Sequence, residues 1–507
     1  MAKYNTFLYG SGTLYGTSTI NNSIWLIEVD WDNDGVFDGT NEAARAISLY
    51  IRRGRDNLLS ISSGGVAQGF EPIKPASAMI VVDNYDNRYN PYNTSSPLYG
   101  YLQPSALIRI QQINTSDGTV KPVFYGRITD IQPYGGDERT AGIKAEDGLR
   151  TLADADVAVA LDTNITTDEG IDQILTNANW SSNWARSLET TIDVIPYWWA
   201  EGKALREITK LSDSELGVFF HAADGTAKYY SRHHSIDPTY TITATDVLKE
   251  IRFPQPWEVQ RNNIKITIHP REAQALGAIW ALGYVARLTA GESVTIWANY
   301  NYGGQSPVPA VNVVIPAVTT DYLMNAAADG SGANLSANLS ITFTDFGTNA
   351  KLILTNTHAS QTGYITLLQV RGEAVSSADP VRAINSTGAA DRALLMDLDW
   401  VQSINTAVDF STYLLQWLQN AKIFPTVIME GRPDFQFNFD LQDTVAVNIA
   451  PLQIDDDFKV GMIEHRWLSE NGQSVQTKIT FEPRATFADG AYWVFPTNIG
   501  TTSVLGF

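Results

Sequence analysis

From Ser23 onward the sequence is a succession of short runs rich in β-branched and aromatic residues, each closed by Gly, Pro, Asn or Asp. SIWLIEV (23–29), ISLYIRRGR from Ile47, SAMIVVDN from Ser77 and ALIRIQQI from Ala106 are followed by PVFYGRITDIQPY and TAGIKAEDGL. Runs of strand length separated by turn formers can bury an apolar face only by pairing into sheets, so a mainly β fold is expected. With 507 residues the chain is too long for one core, and about three to five folded units are expected.

The runs group into a first β unit over residues 1–160, including an N-terminal arm. From 161 to 240 the period changes. Leu205, Ile208 and Leu211 share one helical face, and GVFFHAADGTAKYYSR reads as a hairpin turning at Asp224-Gly225, which together predict a small α+β domain. Strand runs resume with VLKEIRF and NNIKITIHP. Residues 276–377 then carry little charge and much Asn, Ser and Thr around SVTIWANYNY, AVNVVIPAV, ANLSITFTDF, AKLILTNT and GYITLLQVRG, the pattern of an inserted β-sandwich. The clearest helix spans Ala407 to Gln419, with Phe410, Tyr413, Leu414, Trp417 and Leu418 on one face and Pro425 beyond. TVIMEGR, DTVAVNI, FKVGMIEHRWLSENG and VQTKITFEP are again strands, with Asn471-Gly472 as a hairpin turn. Residues 241–275 and 378–485 thus make a second β unit, and 486–507 form an apolar tail expected to pack on another surface. PVFYGRITDIQ and FKVGMIEHRW each follow a polar hairpin and precede a further strand. That is common β architecture, so internal duplication stays open.

Composition excludes several classes. A formal net charge of -20 and a pI near 4.7 argue against a surface that grips nucleic acid, which needs clustered Lys and Arg. With no cysteine there are no disulfides, thiolate metal sites or cysteine nucleophiles. No apolar stretch reaches a membrane span, and MAKYNTFLYG lacks the basic and apolar regions of a signal peptide, so neither insertion nor signal-dependent secretion is expected. GxSxG, P-loop and HExxH patterns are missing; His233 and His234 are adjacent and would point to opposite faces of a strand. The chain is therefore expected not to be an enzyme. Among 55 acidic residues, chance carboxylate pairs decide nothing.

Two patterns carry binding chemistry. Asp30, Asp32, Asp34, Gly35 and Asp38, with Glu42 beyond, approximate the calcium loop D-x-D-x-D-G, although the distal acid falls one place late and the flank reads as a strand. The alternative is a solvated acidic hairpin or loop, and no other cofactor is expected. In WANYNYGG, Trp297, Tyr300 and Tyr302 are candidates to stack on sugar rings; alternatively they fill the sandwich core or a subunit contact.

IRRGR (51–55), DNYDNRYNPYNTSSPLYGYLQP (83–104), ALIRIQ (106–111), FYGRITDIQP (124–133), STYLLQWL before Pro425, LQDTVAVN (441–448) and FKVGMIEHRWLSENG (458–472) occur in an order that resembles the hub proteins at the tail tip or baseplate of tailed bacteriophages. The 83–111 block carries most of the resemblance. It implies a virion protein of the tail tip with two β domains related to the tail-tube fold. Three chains would make a pseudo-sixfold ring that adapts a sixfold tube to a threefold tip and passes DNA through an acidic lumen. The partners implied are two further copies, a distal tail ring protein, a tape measure protein and tail fibre or tip proteins, with a host surface glycan for the sandwich. Competing readings are a sixfold distal tail ring protein, which needs only one tube-like domain, a glycan-binding host-recognition protein, and a secreted carbohydrate-active enzyme, which would need a signal peptide and an acidic cleft.

Overall fold

Every β-rich run of the first unit becomes a strand: β1 (Ser23–Asp30), β2 (Ala46–Gly54), β3 (Lys74–Asp83), β4 (Leu107–Asn114), β5 (Val120–Pro133) and β6 (Thr140–Glu146). The computed structural model describes residues 23–484 except 38, 63–64, 115–116, 137–138, 181–183, 235–236, 247–249 and 389–391. The expected N-terminal arm and the 486–507 tail lie outside the described residues. Alternation sets the buried face: along β3, Ala76, Ala78, Ile80 and Val82 point inward and meet Ile108, Ile110, Phe124, Ile128 and Ile143. The acidic run after β1 is a loop and not a hairpin, because β1 pairs with β4.

The α+β part begins with α1 (Gly148–Asp154), whose first turn is capped by the Asp147 carboxylate accepting from the Leu149 N–H at 3.0 Å. It continues through β7 (Asp156–Thr166), α2 (Thr167–Asn177), β8 (Val194–Lys203) and α3 (Ala204–Glu215), then the hairpin β9 (Val218–His221) and β10 (Ala227–Tyr230). The hairpin turns at Asp224-Gly225 as expected. On α3 the buried stripe is Ala204, Ile208 and Leu211, with Leu205 only half-buried at its margin.

Next come β11 (Tyr240–Thr243), β12 (Glu250–Arg252) and β13 (Asn263–Ile268). The inserted stretch forms two sheets. One is the three-stranded set β14 (Ser293–Asn299), β15 (Leu339–Asp345) and β16 (Asn349–Asn356); the other gathers short strands along β17 (Gly363–Ser377). Ala298, Tyr300, Leu352, Leu354, Ile365 and Val370 fill the space between them. The chain returns through β18 (Val381–Ser386), β19 (Ala393–Leu398) and α4 (Ile404–Leu418). α4 starts three residues before the periodic stripe and lays Phe410, Leu414 and Leu418 on Ile264, Ile266, Met396 and Leu398; Tyr413 and Trp417 flank that face. Strands β20 (Thr426–Glu430), β21 (Thr444–Ile449), β22 (Ile454–Trp467) and β23 (Val475–Pro483) complete the chain.

Residues 241–275 and 378–485 are divided among three sheets. Strands β13, β18 and β19 join two short strands of the first unit, Leu59–Ile61 and Ala67–Phe70, in a five-stranded sheet under α4. Arg271–Ala273 pair with β17 in the inserted part, and the other strands enter a twelve-stranded sheet together with the first unit.

That large sheet contains one arrangement twice. The first half runs β1-β4-β5-β6-β3-β2, and the second runs β11-β21-β22-β23-β20-β12, with the same correspondence of chain order to position. Their paired rows match: Ile51, Ala78, Ala145 and Ile128 lie side by side in the first half, as do Ile251, Val427, Ile479 and Ile463 in the second. The one difference is that β1 meets β4 antiparallel whereas β11 meets β21 parallel. The two similar sequence runs, PVFYGRITDIQ and FKVGMIEHRW, fall in β5 and β22, which occupy equivalent places.

Candidate assembly interface

The halves meet where Tyr50–Gly54 of β2 pair antiparallel with Met462–Arg466 of β22. IRRGR is built for this joint. Gly54 adopts φ +107°, and a Cβ there would fall 2.1 Å from the Gly461 carbonyl oxygen, so only glycine lets the strands approach this closely. The arginines on either side of Gly54 turn into the interior. Arg53 donates to Asp440 Oδ1 (2.6 Å) and to the His221 carbonyl (3.1 Å), while Arg55 grips both Glu482 oxygens at 2.6 Å and the Glu71 carbonyl at 2.9 Å.

Burial opposes the Arg55 charge, but the Glu482 carboxylate outweighs it and holds the guanidinium above its ordinary range. Burial likewise works against the Asp440 carboxylate, and Arg53 and Lys228 overcome it, leaving Asp440 below the usual range. Beside them burial, then the Arg53 charge, pushes the His465 imidazole down to about 3, so its ring, with Nδ1 2.9 Å from Thr477 Oγ1, stays neutral. An aromatic group closes the joint: Trp25 of β1 meets Phe437 edge-on at 5.3 Å and Trp467 at 5.4 Å, and its Nε1 donates to the Gly472 carbonyl at 3.2 Å. Segments far apart in sequence, IRRGR, FKVGMIEHRW and the residues just ahead of LQDTVAVN, thus converge on one seam.

The connection from β3 to β4, residues 84–106, is the other built surface. It advances as linked turns in which the N–H groups of Asn87, Asn90, Asn93, Ser96 and Tyr99 each donate to the carbonyl three residues earlier. Asn84, Asn90 and Asn93 reinforce the turns with side-chain oxygens that accept from the N–H groups of Tyr89, Tyr92 and Ser95. Beneath it the buried Glu42 accepts from Trp31 Nε1, Arg88 Nη2 and the Tyr89 hydroxyl. Burial, then the adjacent Glu42 charge, holds the Tyr89 hydroxyl far above its ordinary range, so it remains a donor. A loop fixed this way presents its tyrosines to solvent: Tyr92 is 89% exposed, and Tyr85, Tyr99 and Tyr101 are also exposed.

Glu42 is committed to that network, which removes the distal acid from the calcium pattern. Asp30, Asp32 and Asp34 do lie together, with ligand oxygens within 4.8 Å of one another, and Asp38 lies outside the described residues. Asp30 is buried and accepts from the Asp34 and Gly35 N–H groups at 3.1 and 2.9 Å; burial raises its pKa. His269, Asp397 and Asp399 form a second such group at the ends of β13 and β19. There the His269 ring lies 2.6 Å from Asp397, and Lys210 Nζ lies 3.3 Å from Asp399. His233 and His234 follow β10 and lie in no strand, and the His234 ring stacks on Tyr230.

The three sandwich aromatics separate. Tyr300 is fully buried and its hydroxyl donates to Asp345 at 2.7 Å, so it is a core residue and cannot stack on a sugar. Trp297 is 55% exposed beside Phe346 on a sheet face it shares with Ser293, Thr295, Thr342, Thr344, Lys351, Ile353 and Thr355. Tyr302 is exposed at a turn, its hydroxyl donating to Gln274. A cleft of about 480 Å³ between the sandwich and the α+β part is lined by Asp162, Tyr197, Asn312, Asp345 and Glu373. Its carboxylates hold structural partners: Gln173 on Asp162, Tyr300 on Asp345 and Asn312 on Glu373.

No family model matches the chain, and no curated protein matches it in sequence. Among solved structures it is similar to a tail protein from Neisseria meningitidis MC58, at 9% identity and TM-score 0.49 over 90% of this chain and 96% of that one. The 43 kDa tail protein of prophage MuSo2 from Shewanella oneidensis is similar at 10% identity and TM-score 0.48, over 91% and 98%. A prophage tail protein from Listeria monocytogenes EGD-e gives 10% identity and TM-score 0.40, over 90% and 94%. All three are tail proteins. Sequence reasoning quoted the seam motifs but did not pair Arg53 with Asp440 or Arg55 with Glu482, and it did not single out the four tyrosines. A pair of arginines around a glycine inside a strand was the available signal.

Proposed function

We propose that this chain is a structural virion protein of a phage tail, the trimeric hub at the tip that joins a sixfold tube to a threefold tip and lines the channel through which DNA leaves. The observation that carries the reading is the repeated six-strand arrangement, joined within one chain into a single sheet in which, among the described residues, β12 and the end of β5 keep an unpaired edge. An open sheet of two equivalent halves is a third of a ring of six, and closing it across copies satisfies edges that a monomer leaves bare. A sixfold distal ring protein needs the arrangement once, so the duplication favours the hub. The distal ring, tape measure and fibre or tip proteins would be its neighbours. Native mass of the full chain in solution tests this: a species of three 55.8 kDa chains is expected, and six chains would favour the distal ring.

The net charge of -20 gains a use in this role, because a lumen lined by carboxylates repels DNA phosphates. A neutral or basic lumen in the assembled ring would contradict that part. The Asp30, Asp32 and Asp34 group is proposed to take calcium in the assembled hub, tested by calorimetric titration of the full chain; absence of heat removes it. Trp297, on its hydroxyl-rich face, supports a second reading, a contact with host surface glycan. Loss of adsorption to host envelopes in Trp297→Ala is expected, and unchanged adsorption argues against it.

A further inference from the structure

We propose that the free edge of β5 and the tyrosine-bearing connection 84–106 form the surface on which a second copy of this chain docks its β12. The proposal rests on the ring reading above and names the residues that join its copies. The seam inside the chain supplies the template. In the second half, the connection from β20 to β21 returns to β22 at Gln442, whose N–H donates to the Val460 carbonyl at 2.8 Å. Just beyond, Met462–Arg466 receive β2. The same connection covers the joint, with Asp440 holding Arg53 and Phe437 against Trp25.

In the first half the equivalent connection returns to β5 at Ser105, whose N–H donates to the Ile128 carbonyl at 2.8 Å. Just beyond, after a bulge at Thr129, Asp130–Pro133 pair only with β6 among the described residues, leaving their other side open. The counterpart of β2 is β12, which among the described residues pairs only with β20. Carrying the seam register across the matched rows, and allowing for the bulge at Thr129, Arg52 opposite Glu464 becomes Arg252 opposite Asp130, and Tyr50 opposite Arg466 becomes Glu250 opposite Gln132. The connection beside this edge displays Tyr92, Tyr99 and Tyr101, where the second-half connection has already buried its aromatics against its neighbour. Tyrosine is the residue type interfaces favour, since it offers contact area with little side-chain entropy to lose.

The absence of cysteine makes the test direct. In the full-length chain carrying Asp130→Cys with Arg252→Cys, mild oxidation should give covalently linked dimers and trimers on non-reducing electrophoresis, reversed by reductant and absent in either single variant. Glu250→Cys with Gln132→Cys tests the same register two residues along the strand. Replacing Tyr92, Tyr99 and Tyr101 together by serine should weaken trimer formation at least about tenfold while leaving the unfolding temperature of the separated chain unchanged. A trimer by native mass that links through neither cysteine pair overturns this proposal and leaves the ring reading standing. A chain that is monomeric at every concentration overturns the ring reading itself.

Discussion

At the scale of single residues the account depends on buried charge. The Arg55–Glu482 pair is almost wholly removed from water, so deleting one member strands the other. Glu482→Leu should cost about 3–5 kcal/mol, read as a lowered midpoint in urea unfolding, whereas replacing both by apolar residues should cost much less. His465 supplies a pH prediction. Its ring titrates near 3 in the fold against an ordinary 6.5, so between those values the unfolded chain binds the extra proton. The stability it contributes is complete above 6.5 and is lost as pH falls toward 3. Asp147 slopes the other way: burial raises it to about 7, so its protonated fold is favoured at low pH and that advantage is lost as pH rises from about 4 to 7. The informative quantity is therefore the difference between variants, and His465→Gln should shrink the loss of melting temperature between pH 6.5 and 4. An identical acid limb in the variant would contradict the assignment. None of these partners was legible beforehand. Arg53 and Arg55 read only as part of the IRRGR motif and Glu42 as the distal acid of a calcium pattern, because the groups that neutralise them arrive from hundreds of residues away or from a long connection.

At the scale of elements much was legible. The period-two runs became the strands, and the stripe at Phe410, Leu414 and Leu418 became α4, since both patterns state which side must be buried. Leu414→Ala should cost about 2–5 kcal/mol by chemical unfolding, because α4 roofs the five-stranded sheet. Helix α2 escaped notice, although its capping box of Thr166 and Glu169 stands in the sequence as T-x-x-E; its Gly170 and short apolar stripe masked the period. The strand pairings were not legible either, as with the loop that followed β1 where a hairpin had been allowed. Position-specific backbone needs are testable at this scale. Gly472, at φ +66°, would place a Cβ 2.5 Å from Trp25 Nε1, and Gly54 is more crowded still. Gly54→Ala should destabilise by more than about 1 kcal/mol and loosen amide protection along β2 and β22 together. Protection lost in β2 alone would mean the seam is not a single cooperative joint.

At the scale of the whole molecule, composition gave an acidic β protein of several units, and the motif order gave the resemblance to a tail-tip hub. The duplication had remained open in sequence because the two halves share topology and matched rows but only scattered identities, such as Ile51-Arg52 and Ile251-Arg252. It became visible only when strand order was known. Once it is, the sheet has two equivalent halves, one internal seam and, among the described residues, unpaired edges at β12 and at the end of β5, and the remaining question is what closes it. Averaged electron micrographs of the purified full-length chain test this most directly. The account predicts rings with six similar density lobes around a central channel and three protruding sandwiches, one per chain; open chains of variable length, or rings with six protrusions, would contradict it.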